Sequence, residues 1–255
     1  MVVIEHKHFK EIPVLELARQ EVKGERLPFI IFVHGFTSAK EHNLHYAYLL
    51  AEKGFRVVLP DTLLHGERSE GLSGSDLNFK LWDIVLNTIA ELNIIRDVYE
   101  DADLIDQGRI GLVGTSMGGI VTLGALTQYE WVKAAVSLMG MPYYEKFAQL
   151  QLDELKKNKV EIPLSSEELA DLLGTLRERD LSLQPEKLGG RPLMFWHGKK
   201  DPVVPYSYTY QFYETIQPLY SDSPENLMFI SDEQAGHKVS REGLLETVKW
   251  FGEHL

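Results

Sequence analysis

The sequence predicts an α/β fold: a mostly parallel sheet of about eight strands with helices on both faces. Two observations carry this. Short apolar runs alternate with longer amphipathic stretches along most of the chain, the pattern of repeated strand–helix units. The runs are also apolar at consecutive positions, as in LPFIIFVHG at 27–35, which suits strands covered on both sides.

Residues 2–6 and 12–19 (IPVLELAR) read as a strand pair at one edge, the second alternating apolar with polar before KGER turns the chain. After the 27–35 strand, Ser38 and Glu41 have capping-box spacing and predict a helix from Ala39 to about Lys53, stopped by Gly54. FRVVLPD at 55–61 is the next strand. The polar loop TLLHGERSEGLSGSD leads to a long amphipathic helix from about Leu77 to Asp106. RIGLVG, the helix from Met117 to Gln128 and the strand-like stretch at 132–140 follow. Between Met141 and Gly190 there is helical periodicity but no strand, so 141–190 reads as a helical cap insertion within a single domain spanning 1–255. RPLMFWHG, a helix after Pro205, NLMFIS and a helix from about Ser240 to Glu253 complete the order.

Composition narrows the function. The 255 residues are 44 % hydrophobic and 25 % charged, enough to bury one sizeable core. A formal charge of −12 opposes binding to nucleic-acid phosphates or anionic membranes, so neither is an expected partner. The absence of cysteine removes disulfides, zinc–thiolate sites and a thiolate nucleophile. MVVIEHKHFK carries charge where a signal peptide needs an apolar core, and no run approaches the length of a membrane span, so a cytoplasmic location is expected.

One stretch breaks the apolar pattern. In RIGLVGTSMGGIVTLGAL, residues 109–126, GTSMGG sits between a buried strand and a helix. A G-x-S-x-G sequence in that setting presents a serine on a sharp strand-to-helix bend, with room at Gly114 and Gly118 that side chains would fill. It matches neither the dinucleotide nor the Lys-containing phosphate loop. A serine hydroxyl needs a base to take its proton and an acid to orient that base. His237, in the loop after NLMFIS, is the candidate base. Asp201 in HGKKDPVVP, stiffened by Pro202 and Pro205, is the candidate acid; Asp232 and Glu233 are its rivals. Two backbone N–H groups must hold the oxyanion. Met117, the residue after the serine, offers one, and Phe36 beyond His34–Gly35 offers the other, with Gly35 letting the backbone approach Ser116 and His34 structural.

With strand-HGF, strand-GTSMGG-helix, HGKKD and GH in that order, nearly the whole chain resembles an alpha/beta-hydrolase. It is similar to small bacterial esterases related to dienelactone hydrolase and to the catalytic domain of the prolyl oligopeptidase group, most of all to carboxylesterases of the YjfP-like or YitV-like kind. The resemblance implies Ser116, Asp201 and His237 as nucleophile, acid and base, Phe36 and Met117 as oxyanion donors, and hydrolysis of a small-molecule ester through an acyl-enzyme. It implies no metal or organic cofactor. PDTLLHGERS looks like the family's D-x-x-G-H-G-x-S loop, with Leu64 in place of its first glycine and with His65 and Arg68 stabilising the loop. Dienelactone hydrolase itself uses cysteine, which this chain lacks.

Met141, Tyr143, Tyr144 and Phe147, at the start of the insertion, are expected to line an apolar pocket with Phe36 and Val203, or else to glue the cap to the core. An apolar pocket favours small to medium uncharged esters. Three rival readings remain: a peptidase of the prolyl oligopeptidase type; an acyl-CoA thioesterase or acyltransferase, with Lys199 and Lys200 as the local basic hint; and a non-catalytic binding protein of the same fold. His42 and His45 have a metal-compatible spacing without an acidic third ligand.

Overall fold

A computed structural model describes residues 1–255. The strands are β1 (Val2–Phe9), β2 (Ile12–Arg19), β3 (Leu27–Val33), β4 (Arg56–Pro60), β5 (Ile105–Thr115), β6 (Ala134–Leu138), β7 (Leu193–Gly198) and β8 (Leu227–Asp232). They form one sheet in the order β1-β2-β4-β3-β5-β6-β7-β8, antiparallel through β1, β2 and β4 and parallel from β4 to β8. The predicted eight-strand, mostly parallel sheet is therefore present.

The helices are α1 (Leu44–Glu52), α2 (Gly74–Phe79), α3 (Leu81–Asp101), α4 (Met117–Gln128), α5 (Tyr144–Lys157), α6 (Ser166–Arg177), α7 (Tyr206–Ile216) and α8 (Arg241–His254). Apolar residues of α1 and α8 pack on one face of the sheet, and those of α3, α4 and α7 on the other. That double cover explains the unbroken apolar runs: every residue of β4, β6 and β7 is buried. No helix is long and apolar enough to cross a membrane.

Three local expectations are corrected. The Ser38–Glu41 capping box does not form. Ser38 Oγ lies 3.0 Å from His42 Nδ1, and a 3-10 turn over Lys40–Asn43 delays the helix to Leu44. The cause is Asp61 at the end of β4, which accepts both the Lys40 backbone N–H (3.0 Å) and its Nζ (2.6 Å) and draws this turn onto the sheet. Next, the long helix starts at Leu81 after the separate turn of α2 and ends at Asp101; Asp103 takes φ 59°, and β5 begins at Ile105. Finally, β2 is buried on both faces rather than alternating. Its Glu16 is buried against the Arg56 guanidinium and accepts the Tyr99 hydroxyl at 2.6 Å, so a residue that reads as solvent-facing belongs to an internal ion pair.

Between β6 and β7 the chain forms α5, α6 and two short 3-10 turns, with no strand. Buried Asp180 anchors this segment. It accepts the Glu145 N–H (3.0 Å) at the start of α5 and the Ser182 N–H (2.9 Å).

Candidate active site

Ser116 stands between the last residue of β5 and the first of α4, with φ 56° and ψ −113°. Such a backbone costs a non-glycine residue about 1–3 kcal/mol and persists only where its surroundings impose it. Here the Ser116 N–H donates to Leu138 O at the end of β6 (2.7 Å), and Ser116 O accepts the Ile120 N–H (2.9 Å). The flanking glycines are required sterically. A β-carbon on Gly114 would lie 2.1 Å from Gly118 O, and one on Gly118 would lie 2.1 Å from Val33 O and 2.9 Å from His34 O. Gly118→Ala is accordingly expected to push α4 off the sheet. It should cost about 3 kcal/mol or more of stability and at least about 10²-fold in rate, read by thermal unfolding and initial velocities.

The structure brings the three predicted groups together from three loops at the carboxyl ends of parallel strands. His237 Nε2 lies 2.8 Å from Ser116 Oγ, and its Nδ1 lies 2.7 Å from Asp201 Oδ2. With the imidazole proton on Nδ1, that nitrogen donates to the carboxylate and Nε2 is left to accept the serine O–H. Asp201 Oδ1 accepts the N–H groups of Val203 (2.8 Å) and Val204 (3.0 Å), so the proline-stiffened turn closes on its own carboxylate. Burial opposes the Asp201 charge. Hydrogen bonds from His197, His237 and the Val204 and Val203 amides outweigh it and hold the acid well below the usual carboxylate range. Asp201 is thus held in its charged form, as an orienting group for His237 requires.

The rival carboxylates are occupied elsewhere. Asp232 Oδ1 accepts the Gln234 and Ala235 N–H groups, both at 3.0 Å, and Glu233 pairs with Lys199 at 2.6 Å. Lys200 Nζ donates to Gln234 Oε1 (2.6 Å), so both lysines of the basic hint have protein partners. His197 is a participant that sequence reasoning overlooked. Fully buried at the end of β7, it shares its Nε2–H between Val204 O (2.9 Å) and Asp201 Oδ2 (3.3 Å). Its signal was the i, i+4 spacing to the acid within HGKKD.

The loop after β3 approaches the serine closely. A β-carbon on Gly35 would sit 3.2 Å from Thr115 O and 3.6 Å from Ser116 Cβ, so Phe36 follows directly beside the nucleophile. The Phe36 N–H donates to no group of the chain. Met117 is the first residue of α4, where an amide has no intrahelical acceptor. Two histidines brace this loop. His34, fully buried, bonds from Nδ1 to Gly35 O (2.8 Å) and accepts the Thr62 N–H on Nε2 (3.1 Å). His65 accepts the Thr37 N–H on Nε2 (2.9 Å) and bonds from Nδ1 to Leu63 O (2.9 Å), while Thr37 itself takes φ 59°. Arg68 clasps Glu91 with two hydrogen bonds of 2.9 and 2.8 Å.

Burial holds the His34 imidazole well below its ordinary 6.5, at about 4. Because the unfolded chain takes up this proton first, the stabilisation is complete above pH 6.5 and is lost as pH falls toward 4. The full effect is about 3 kcal/mol, of which about 2 is gone by about pH 5. The unfolding free energy from denaturant titration should fall by about 2 kcal/mol from neutral pH to pH about 5, and by less in a His34→Gln variant.

The pocket expectation is corrected in part. Met141 and Tyr144 are fully buried, and the Tyr144 hydroxyl donates to Ile120 O at 2.5 Å, so both belong to the core under α4 rather than to an accessible pocket. Phe147 is buried edge-on against Trp82. Tyr143 packs against Tyr208 and Phe212 and lines a hollow of about 430 Å³ with Glu145, Lys146 and Asp180, which does not include Ser116. Val203 is 57 % exposed beside Asp201, and Phe36 keeps partial exposure. His42 and His45 do not converge: the first bonds Ser38, the second packs on Tyr46.

A serine on a strained strand-to-helix bend, a histidine and a buried carboxylate at the strand ends of this sheet define a serine hydrolase of the alpha/beta-hydrolase fold. Residues 41–255 match the prolyl oligopeptidase family, and the chain belongs to it. It is 54 % identical over 255 residues to "Putative esterase YitV" of Bacillus subtilis and 30 % identical over 257 residues to "Esterase YjfP" of Escherichia coli, with 100 % of both chains covered in each case. Among solved structures, TT1662 from Thermus thermophilus superposes with a TM-score of 0.76 at 20 % identity, covering 99 % of this chain and 98 % of that one.

Proposed function

We propose that this protein is a serine carboxylesterase acting on small to medium uncharged esters through an acyl-enzyme, with Ser116 as nucleophile, His237 as general base and acid, and Asp201 as the group that orients the imidazole. The observation that carries the reading is the unbroken hydrogen-bond chain from Ser116 Oγ through His237 to Asp201, at 2.8 and 2.7 Å. His237 takes the serine proton as Oγ attacks the ester carbonyl. The Phe36 and Met117 N–H groups meet the developing oxyanion, each contributing about 2.7–4 kcal/mol in the transition state. The proton passes from Nε2 to the leaving alcohol oxygen, and a water deprotonated by the same nitrogen then releases the acid. Residues 141–190 serve as a helical cap of the single domain, and Phe36 and Val203 supply apolar contact for the substrate. The esterase names of both relatives support this choice over amide hydrolysis.

A panel of nitrophenyl esters of increasing acyl length, assayed beside aminoacyl anilides and acyl-CoA thioesters, tests the reading. Short and medium esters should show the highest kcat/KM. Higher kcat/KM on the anilides or thioesters would overturn it in favour of a peptidase or a thioesterase.

A further inference from the structure

A second group of chemistry-bearing side chains lies outside the serine centre, where β1 meets the loop after β4. His6 and His8 are two residues apart on the edge strand and project to the same face, with half of each side chain in solvent (50 % and 56 %). Both imidazoles reach one carboxylate: His6 Nε2 is 3.2 Å from Glu67 Oε1, and His8 Nε2 is 3.4 Å from Glu67 Oε2. Glu41 completes the group, with ligand atoms of His6, Glu41 and Glu67 all within 4.8 Å of one another. We propose that His6, His8, Glu67 and Glu41 form a surface site for a divalent transition-metal ion of the zinc type.

Three properties support this. The spacing fits for the core of the set, because tetrahedral ligands bound at about 2.0–2.2 Å stand about 3.3 Å apart. Both imidazoles lie 3.2–3.4 Å from Glu67, with Glu41 within 4.8 Å of His6 and Glu67 and His8 joining through its contact with Glu67. The donor set of imidazoles and carboxylates suits zinc, nickel or copper rather than an all-oxygen cation such as magnesium. The charge also fits: Glu41, Glu67 and buried Asp61 surround one ammonium, that of Lys40, at 2.9, 2.6 and 2.6 Å, which leaves two negative charges for a dication.

The site is preorganised as well. Lys40 Nζ and the Glu67 N–H, which donates to Asp61 Oδ2 at 3.0 Å, hold Glu67 in place, so only the two exposed histidine rings and Glu41 need to adjust. Glu67 follows His65 by two residues, so a bound ion ties β1 to the loop that holds the Thr37 amide.

The test is isothermal titration of the full-length protein with Zn²⁺ at neutral pH after dialysis against a chelator, paired with the visible absorption of the Co²⁺ form. One saturable ion per chain is expected. The His6→Ala/His8→Ala double variant should bind at least about tenfold more weakly, while His42→Ala/His45→Ala, which removes two other exposed imidazoles, binds as wild type. Far-UV circular dichroism establishes that both variants fold. Absence of saturable binding to wild type, or equal affinity in the His6→Ala/His8→Ala variant, would overturn the site and leave Glu67 as a partner of Lys40 alone.

Discussion

Ser116→Ala is expected to lower kcat for a nitrophenyl ester by about 10⁴- to 10⁶-fold, with little change in KM and none in fold. The magnitude follows from what remains. The variant keeps the Phe36 and Met117 amides and the imidazole but has no atom able to form the acyl-enzyme, so only water activated by His237 is left to attack. Folding is spared because the hydrogen bonds that hold this position, to Leu138 O and from Ile120 N–H, are made by the backbone and are indifferent to the hydroxyl. Pre-steady-state kinetics separates the outcomes: wild type should release a burst of nitrophenolate, and the variant none. A loss of only a few fold would mean that another residue carries the attack.

Asp201→Asn is expected to cost about 10⁴-fold in kcat while leaving the protein folded. The carboxylate accepts a hydrogen bond from the His237 Nδ1–H at 2.7 Å, which leaves Nε2 free to accept from Ser116. An amide facing Nδ1 with its NH₂ group reverses that bond, placing the imidazole proton on Nε2 and aiming a donor at the serine. Asparagine retains an oxygen for the Val203 and Val204 amides, so the turn is preserved. The deficit should shrink as pH rises and hydroxide attack replaces serine attack. The pH dependence of kcat/KM therefore distinguishes a lost orienting group from a collapsed loop, which would lose activity equally at every pH.

What was legible in the sequence was mostly what backbone sterics dictate. GTSMGG announces the bend because Gly114 and Gly118 have no space for a β-carbon, and that crowding acts between neighbours in sequence and the adjacent β3 exit. The consecutive apolar runs announced the double-sided parallel sheet for a comparable reason: each strand reports its own burial. Chain order then singled out Asp201 and His237 for the serine.

Less legible were interactions whose partners are distant in sequence. Nothing local marks Glu16 as the buried partner of Arg56, or Lys40 as an ammonium enclosed by Asp61, because a charged residue in a strand or first helical turn reads equally well as solvated. The same blindness misplaced the start of α1, where Asp61 outcompetes a local cap. Tyr144 and Met141 illustrate the complementary difficulty. Apolar residues at helical spacing give no sign of whether they face an open pocket or the underside of α4, and the hydroxyl of Tyr144 is satisfied by Ile120 O in a place no substrate reaches.

The central claim is that the hydroxyl of Ser116 is made nucleophilic by His237. Fluorophosphonate labelling with mass-spectrometric mapping, on wild type, Ser116→Ala and His237→Ala side by side, tests it most directly. One adduct on Ser116 in wild type, no adduct in Ser116→Ala, and labelling slowed by orders of magnitude in His237→Ala is the expected result. An adduct that persists in Ser116→Ala, or an unchanged labelling rate without the imidazole, would contradict it.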